Sequence, residues 1–339
     1  MDPLTQASVG AAAAALVCRR AETRQALLLG ALAGAAPDID VLIRSDSDPL
    51  LALQFHRHFT HALVVAPLIG LIVAALFKGL FFWKDWPFRR LALFTVLGTL
   101  THGLIDACTS YGTLLYWPIS SHRESWDIIS IIDPIFTLPL CLLLVLSFAF
   151  RRPRLAQIGL LLCLLYFSLG IYQRSQASRF ADQLAQARGH SPQELTVRPS
   201  FGNIVLWRIV YRSGERYYVD AVRTLPFTAP RHYPGSSVDV FSPASAERIL
   251  PMDSVHAGDV ARFRFFSQGY LYQYPHQPDV VGDLRYAMYP DSIEPLWGIR
   301  LDPAQGEQHV RFEHFRDPSQ RAFERLWLMI QGKAVPVLD

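Results

Sequence analysis

The sequence predicts a membrane-embedded all-α helical bundle over residues 1–172, a helical connector over 173–190, and a small α+β domain, mainly antiparallel β, over 191–339. Three observations carry this. Hydrophobic residues make up 51% of the chain and charged residues only 18%, too apolar a balance for an ordinary soluble protein of this size. Nearly all the long apolar runs lie before Tyr172. Beyond it, short alternating segments rich in aromatic and β-branched residues take over.

The elements follow in order. Residues 4–18 are an Ala-rich helix closed by Arg19, Arg20 and Arg24, and residues 25–36 are a second apolar helix stopped by Pro37. Each is short of the ~20 residues a full crossing needs. A polar loop over 44–54 leads to an apolar run over 61–83, then a second over 91–108, both read as spans. Residues 109–127 are irregular. Spans over 128–150, interrupted at Asp133-Pro134, and 155–172 complete the bundle, with a polar helix over 174–188 as connector. In the second domain, 204–211 and 217–222 flank a Ser213-Gly214 turn and form a hairpin. Strand patterns at 260–266, 269–274, 283–289, 296–301 and 309–315 extend a small antiparallel sheet, and residues 319–330 form an amphipathic helix.

Several classes are disfavoured at once. A net charge of +3 is too small to argue for nucleic acid. Cys18, Cys108, Cys141 and Cys163 all lie in the apolar half with no CxxC, which argues against thiolate zinc and a disulfide framework. The acidic start does not read as a cleavable signal peptide. Basic loops at 19–24, 84–90 and 151–154 fall on one face if the segments alternate, and that face is expected to be cytoplasmic. The second domain and the ionisable clusters then share the outer face.

Those clusters are the chemical signal. Asp38 and Asp40 follow Pro37; His56, Arg57, His58 and His61 open an apolar run; His102 and Asp106 stand at i and i+4 on one helix face. Taken singly, each has an ordinary explanation: an acidic helix end, a solvated entry segment, a histidine bonded to its own carboxylate. Jointly, ionisable groups in apolar company are costly unless they pair or hold a cation. An N/O donor set suits Zn²⁺, Mn²⁺ or Fe, as one ion or two, and a hydrolytic site is the economical reading. His56 and His61 converge only if His56 lies on the loop and His61 opens the helix. Arg57 suits a phosphate or carboxylate. Asp133-Pro134 is either a kink or part of the site.

Asp2-Pro3-Leu4-Thr5-Gln6, Pro37-Asp38-Ile39-Asp40, His56-Arg57 with Phe59-Thr60-His61, and Thr101 to Asp106 match, in order and spacing, strings of a known bacterial family. The match continues through residues 113–118 and 130–134. At these residues the chain resembles the predicted membrane-bound metal-dependent hydrolases, the YdjM-like inner-membrane proteins. The resemblance implies a multi-pass inner-membrane protein with a divalent metal, zinc above manganese or iron. It implies Asp38, Asp40, His56, His61, His102 and Asp106 as ligands. The set is also similar to that of zinc-dependent phospholipases C. Many members carry a histidine where this chain has Gln6, and His58 replaces a residue that is often small.

The expected function is metal-activated water attacking an ester or phosphoester of a lipid or lipid-linked substrate. Arg57 is then expected to stabilise an anionic transition state, with Asp127 or Asp133 as general base or orienting group. Membrane lipids are the expected partners, and nucleic acid is not. The competing reading is a non-enzymatic, metal-stabilised membrane scaffold whose second domain binds a partner. An intramembrane ion transporter is disfavoured, because no inverted repeat is visible and the candidate ligands gather at one face.

Overall fold

The computed structural model of the chain describes residues 1–79, 85–251, 253–315 and 320–336. It divides into two compact units. The first comprises Met1–Ile43, Phe55–Ile171 and Phe201–Asn203; the second comprises Arg44–Gln54, Tyr172–Ser200 and Ile204–Asp339.

The first unit is helical. α1 (Pro3–Ala15) starts where the Asp2 carboxylate accepts from Thr5 N at 3.0 Å, with Pro3 at the first helical position. α2 (Thr23–Ala35) runs into a 3-10 segment, Ala36–Leu42. After a short α3 (Leu51–Phe55), which belongs to the second unit up to Gln54, a 3-10 turn, Phe59–His61, precedes α4 (Ala66–Gly79). α5 (Phe88–Ala107) is the buried axis of the unit, packing against α1, α2 and α4. α6 (Pro134–Phe150) and α7 (Pro153–Ala187) as far as Ile171 complete it.

Close approach without side chains sets these crossings. A methyl added at Gly10 would lie 2.4 Å from Gly30 O, and one at Gly98 would lie 2.6 Å from the same carbonyl. Small residues let helix backbones meet at this range. Between α4 and α5, Thr95 Oγ1 donates to Gly70 O at 2.7 Å and Thr99 Oγ1 to Ala66 O at 2.8 Å, so buried hydroxyls find carbonyls across the contact.

The observed helices redraw several expected boundaries. The run expected as a span over 61–83 becomes helical only at Ala66, because Ala62 is extended (φ −70°, ψ 138°) and His61 ends a 3-10 turn. Its far end, residues 80–84, lies outside the described residues. The expected 128–150 span begins at Pro134, where Asp133 accepts from Ile135 N and Phe136 N and so starts the helix. The expected 155–172 span and the polar connector are one 35-residue helix, with no breaker between them. Among the described helices, Arg20–Leu42 and Pro153–Ala187 are long and apolar enough to cross a membrane. Leu51–His61 with Ala66–Gly79, bent by 82°, is a third if counted as one span. α5, expected as a span, instead turns Thr95, Thr99, His102 and Asp106 into the protein interior.

The second unit holds two four-stranded antiparallel sheets rather than one. The first is β1 (Glu194–Pro199), β2 (Leu206–Ser213), β3 (Arg216–Arg223) and β4 (Arg231–Asp239), each pairing with the next. The expected hairpin is β2–β3, closed at Ser213↔Arg216 with Gly214 at φ +63°. After α8 (Pro243–Glu247) and α9 (Val255–Phe266), the second sheet runs β5 (Leu271–Gln273), β6 (Val280–Asp283), β7 (Trp297–Arg300), β8 (Arg311–His314). α10 (Gln320–Ile330) follows. The strand expected at 260–266 lies in α9. Ser254 caps that helix by accepting from Ala257 N, and its buried residues His256, Asp259, Val260, Phe263 and Phe266 recur at helical spacing. The strand expected at 283–289 shrinks to its first residue, at the end of β6.

Buried charge ties this unit together. Arg208 on β2 donates to the carbonyls of Leu284, Pro290 and Ser292 at 2.7–3.2 Å, and burial pulls it down to about 10. Asp220 on β3 accepts two bonds from Arg188, at 2.6 and 2.9 Å, and lies 2.8 Å from His232 Nε2. Burial alone would push its carboxyl up, but His232 and Arg188 outweigh that and hold it below its ordinary value of 3.8.

Two expectations follow. Gly103→Ala places a methyl 2.1 Å from His61 O, and thermal unfolding should show a loss of about 1–3 kcal/mol. Gly79→Ala, where a methyl meets nothing within 4 Å among the described residues, should leave stability unchanged or higher. Asp220 titrates lower in the folded chain than in the unfolded one. Its contribution is therefore complete above about pH 4 and fades as pH falls further. Denaturant midpoints between pH 3 and 7 should show Asp220→Asn less stable than the parent at neutral pH, with the gap narrowing in acid.

Candidate metal centre

Three segments of the first unit deliver the site. Pro37 starts the 3-10 segment that carries Asp38 and Asp40. The stretch 56–61 is folded around Asp40, which accepts from Arg57 N at 2.8 Å and Thr60 Oγ1 at 3.2 Å and lies 3.1 Å from His56 Nδ1. Arg57 takes a left-handed backbone (φ 59°), a conformation a bulky residue adopts only when its surroundings impose it. Those surroundings are visible: Leu114 N donates to Arg57 O at 3.0 Å, and Arg57 Nη1 donates to Thr109 Oγ1 at 2.9 Å. The third segment is α5, with His102 and Asp106 both fully buried on one face.

The donor atoms converge. His61 Nε2 and His102 Nε2 are 2.8 Å apart, and Asp38 Oδ1 is 3.4 Å from each. Asp106 Oδ2 lies 3.2 Å from His61 Nε2 and 3.7 Å from His102 Nε2. The far nitrogens settle the tautomers. His102 Nδ1 lies 2.6 Å from Gly34 O and must donate to it. His61 Nδ1 faces Asp40 Oδ2 at 3.3 Å, an acceptor, as well as the Thr60 hydroxyl. Neutral imidazoles so arranged turn two Nε2 lone pairs toward each other, with a carboxylate beside them. That contact is repulsive unless a proton or a cation sits between. Backbone carbonyls and carboxylates behind the ring are the usual orienting partners of metal-bound histidine.

A second group adjoins the first. Asp38, Asp40 and His56 each bring a ligand atom within 4.8 Å of the others, as do Asp38, His61 and His102, so Asp38 belongs to both. The charge balance also suits a cation: of the three carboxylates Asp38, Asp40 and Asp106, the last is the one paired with fixed positive charge, its Oδ2 3.2 Å from Arg57 Nε and its Oδ1 in contact with the Met1 amino group. Asp48, Asp259 and His309 of the second unit form a further close group, but Arg262 already bonds both carboxylates, at 2.9–3.0 Å.

The remaining singled-out residues fall as follows. His58 packs between Phe55, Phe59 and Trp117 and enters neither of the two groups of the first unit. Asp127 is buried in a left-handed conformation (φ 53°), between Trp126 and Ile128, whose N–H groups donate to Ala107 O and Cys108 O. Asp133 is engaged by the first turn of α6 and by Tyr166, whose hydroxyl donates to it at 2.8 Å. Gln6, set aside as a departure from the family pattern, is buried at the site. Its Nε2 donates to Asp106 Oδ1 at 2.9 Å, and its Oε1 has no hydrogen-bond partner among the described residues. Arg123, which no local motif marked, donates to His56 O at 2.6 Å; only the tertiary fold brings it there.

Metal analysis of the purified protein should therefore find a divalent ion that His61→Ala and His102→Ala each abolish. His58→Ala should retain it. Thr60→Val, which removes a hydroxyl behind Asp40 and His61, should weaken binding by about 10–100-fold.

The comparisons with known proteins agree with the helical unit. The family model described as "YdjM inner membrane protein" matches residues 1–177. A relative, described as uncharacterized protein YfhP of Bacillus subtilis (strain 168), is 23% identical over 196 residues. That match covers 57% of this chain and 58% of the relative, so the chain spans little more than half of its relative's length. No solved structure matches. With the matched region holding all six expected ligands, the chain belongs to the YdjM inner membrane protein family.

Proposed function

We propose that this protein is a membrane-bound, metal-dependent hydrolase acting on an ester or phosphoester, with a lipid or lipid-linked compound as substrate. The reading rests on one observation above the rest: His61 Nε2 and His102 Nε2 face each other at 2.8 Å beside Asp38, each with its other nitrogen committed elsewhere. Zinc fits this N/O set best, manganese or iron next, and the shared Asp38 gives room for a second ion. When bound, such an ion supplies a water acidic enough to be a nucleophile near neutral pH.

The chain's own groups have separate tasks. Asp38, His61, His102 and Asp106 hold the ion, with Asp40 and His56 completing the second group. Gly34 O and the Asp40 carboxylate keep the two rings in their ligating tautomers. Arg57 balances Asp106 and offers positive charge against an anion developing at the site. Asp127 or Asp133 serves as general base or orienting group; Asp133 also caps α6 and accepts from Tyr166. The outward-facing orientation and multi-pass topology belong to the same proposal. A reporter fused after the last residue should read as extracytoplasmic.

The deciding experiment supplies purified, metal-loaded protein with a panel of phospholipids and lipid phosphoesters. Release of the polar product should require the metal. It should fall by roughly two orders of magnitude or more in His102→Ala, as when a group acting on the transition state is removed. Full metal content with no turnover across the panel would favour the metal-stabilised scaffold instead.

A further inference from the structure

We propose that the groove between α6 and α7 seats one acyl chain of a membrane phospholipid, with the lipid's polar end toward the metal centre. The groove has a volume of about 330 Å³ and lies wholly within the first unit. Its floor is Phe136, Leu140 and Cys163, all buried, and its rims are the exposed Ile135, Leu162 and Leu165. Pro139 and Gly159 shape the notch: a methyl on Gly159 would lie 2.9 Å from Leu140 Cδ1, so glycine leaves the two helices close together at that end.

Three features choose a hydrocarbon chain as the occupant. The lining holds one polar group of consequence, the Tyr166 hydroxyl, and that is already donated to Asp133. α7 is one of the two helices long and apolar enough to cross a membrane, so the groove opens where acyl chains are the solvent. The lining on α7 runs from Gly159 to Leu169. Ten residues at the helical rise make about 15 Å, half of the ~30 Å hydrocarbon thickness and so the depth of one leaflet's chain.

Direction follows from what adjoins each end. The Asp133–Tyr166 end carries the start of α6, and there Asp2 N donates to Ile131 O at 3.1 Å. One turn further, the Thr5 and Thr137 hydroxyls meet at 2.6 Å. Met1, next to Asp2, contacts the candidate ligand Asp106. A chain seated in the groove therefore points its ester and headgroup toward the end of the unit that holds the metal-binding groups. This placement rests on the hydrolase reading only for its consequence, the presentation of a substrate; the seating itself stands on the groove.

The test uses the full chain in phosphatidylethanolamine–phosphatidylglycerol vesicles containing phosphatidylglycerol with a photoactivatable diazirine in mid-chain. Crosslinked residues are mapped by mass spectrometry. Labelling should concentrate several-fold on groove residues such as Leu162, Cys163 and Leu165 over Leu138, Leu142, Leu161 and Leu164, which are exposed on the same two helices. Gly159→Leu and Leu165→Trp, which fill the groove from its floor and its rim, should each lower that labelling several-fold with metal content unchanged. Leu165→Trp carries the test if the tighter Gly159 site does not tolerate substitution. Even labelling of groove and outward faces, or labelling unmoved by Leu165→Trp, overturns the proposal. Turnover of the phospholipid panel is scored separately, so groove labelling without turnover counts against the hydrolase reading alone.

Discussion

Three carboxylates, two imidazoles and a guanidinium cannot be enclosed among Leu, Ala and Val side chains unless each is answered by a partner. That compensation organises the helical unit. Asp40 shows it most fully: one buried carboxylate takes Arg57 N and Thr60 Oγ1, and faces His56 and His61. Each contact also fixes a backbone turn in the stretch 56–61. Satisfying the charge and folding the loop are the same event. The ring nitrogens of His61 and His102 that face Asp38 are the donors this arrangement leaves for a cation.

The packing that holds these partners in range comes from another source. α5 carries His102 and Asp106 at fixed spacing, but their distance from Asp38 depends on how closely α2 meets α5. Gly30 and Gly98 decide that distance by letting the backbones touch. Electrostatic demand and steric permission are thus met by different residues on the same helices.

Legibility in the sequence follows this division. Local signals were readable: Pro37 and Asp133-Pro134 as breaks, the Ser213-Gly214 turn and its hairpin, and the i,i+4 spacing of His102 and Asp106. Signals that depend on tertiary company were not. α9 looked like a strand because Phe263, Phe265 and Phe266 dominate its composition, while its true period lies in His256, Asp259, Val260, Phe263 and Phe266, two of them polar residues buried by partners elsewhere. α5 read as a membrane span because Leu and Thr are equally at home inside a protein. Arg123 behind His56 carries no pattern in the chain, since it is brought to its partner from far along the sequence, and Gln6 was marked only by the family string it belongs to.

The glycine contacts carry a practical consequence for how this protein would be dissected. Where two backbones meet, shape is set by atoms that are not there, so the harmful change is the addition of a carbon. An alanine scan assumes the reverse, that damage comes from truncation. It would pass in silence over Ala11 to Ala15 of α1, which are already alanine and buried. It would then report Gly10, Gly30, Gly98 and Gly103 as sensitive positions, though none of them offers a side chain to any chemistry. A map of tolerance drawn this way would trace the seams between helices, with the reactive groups only a part of the picture.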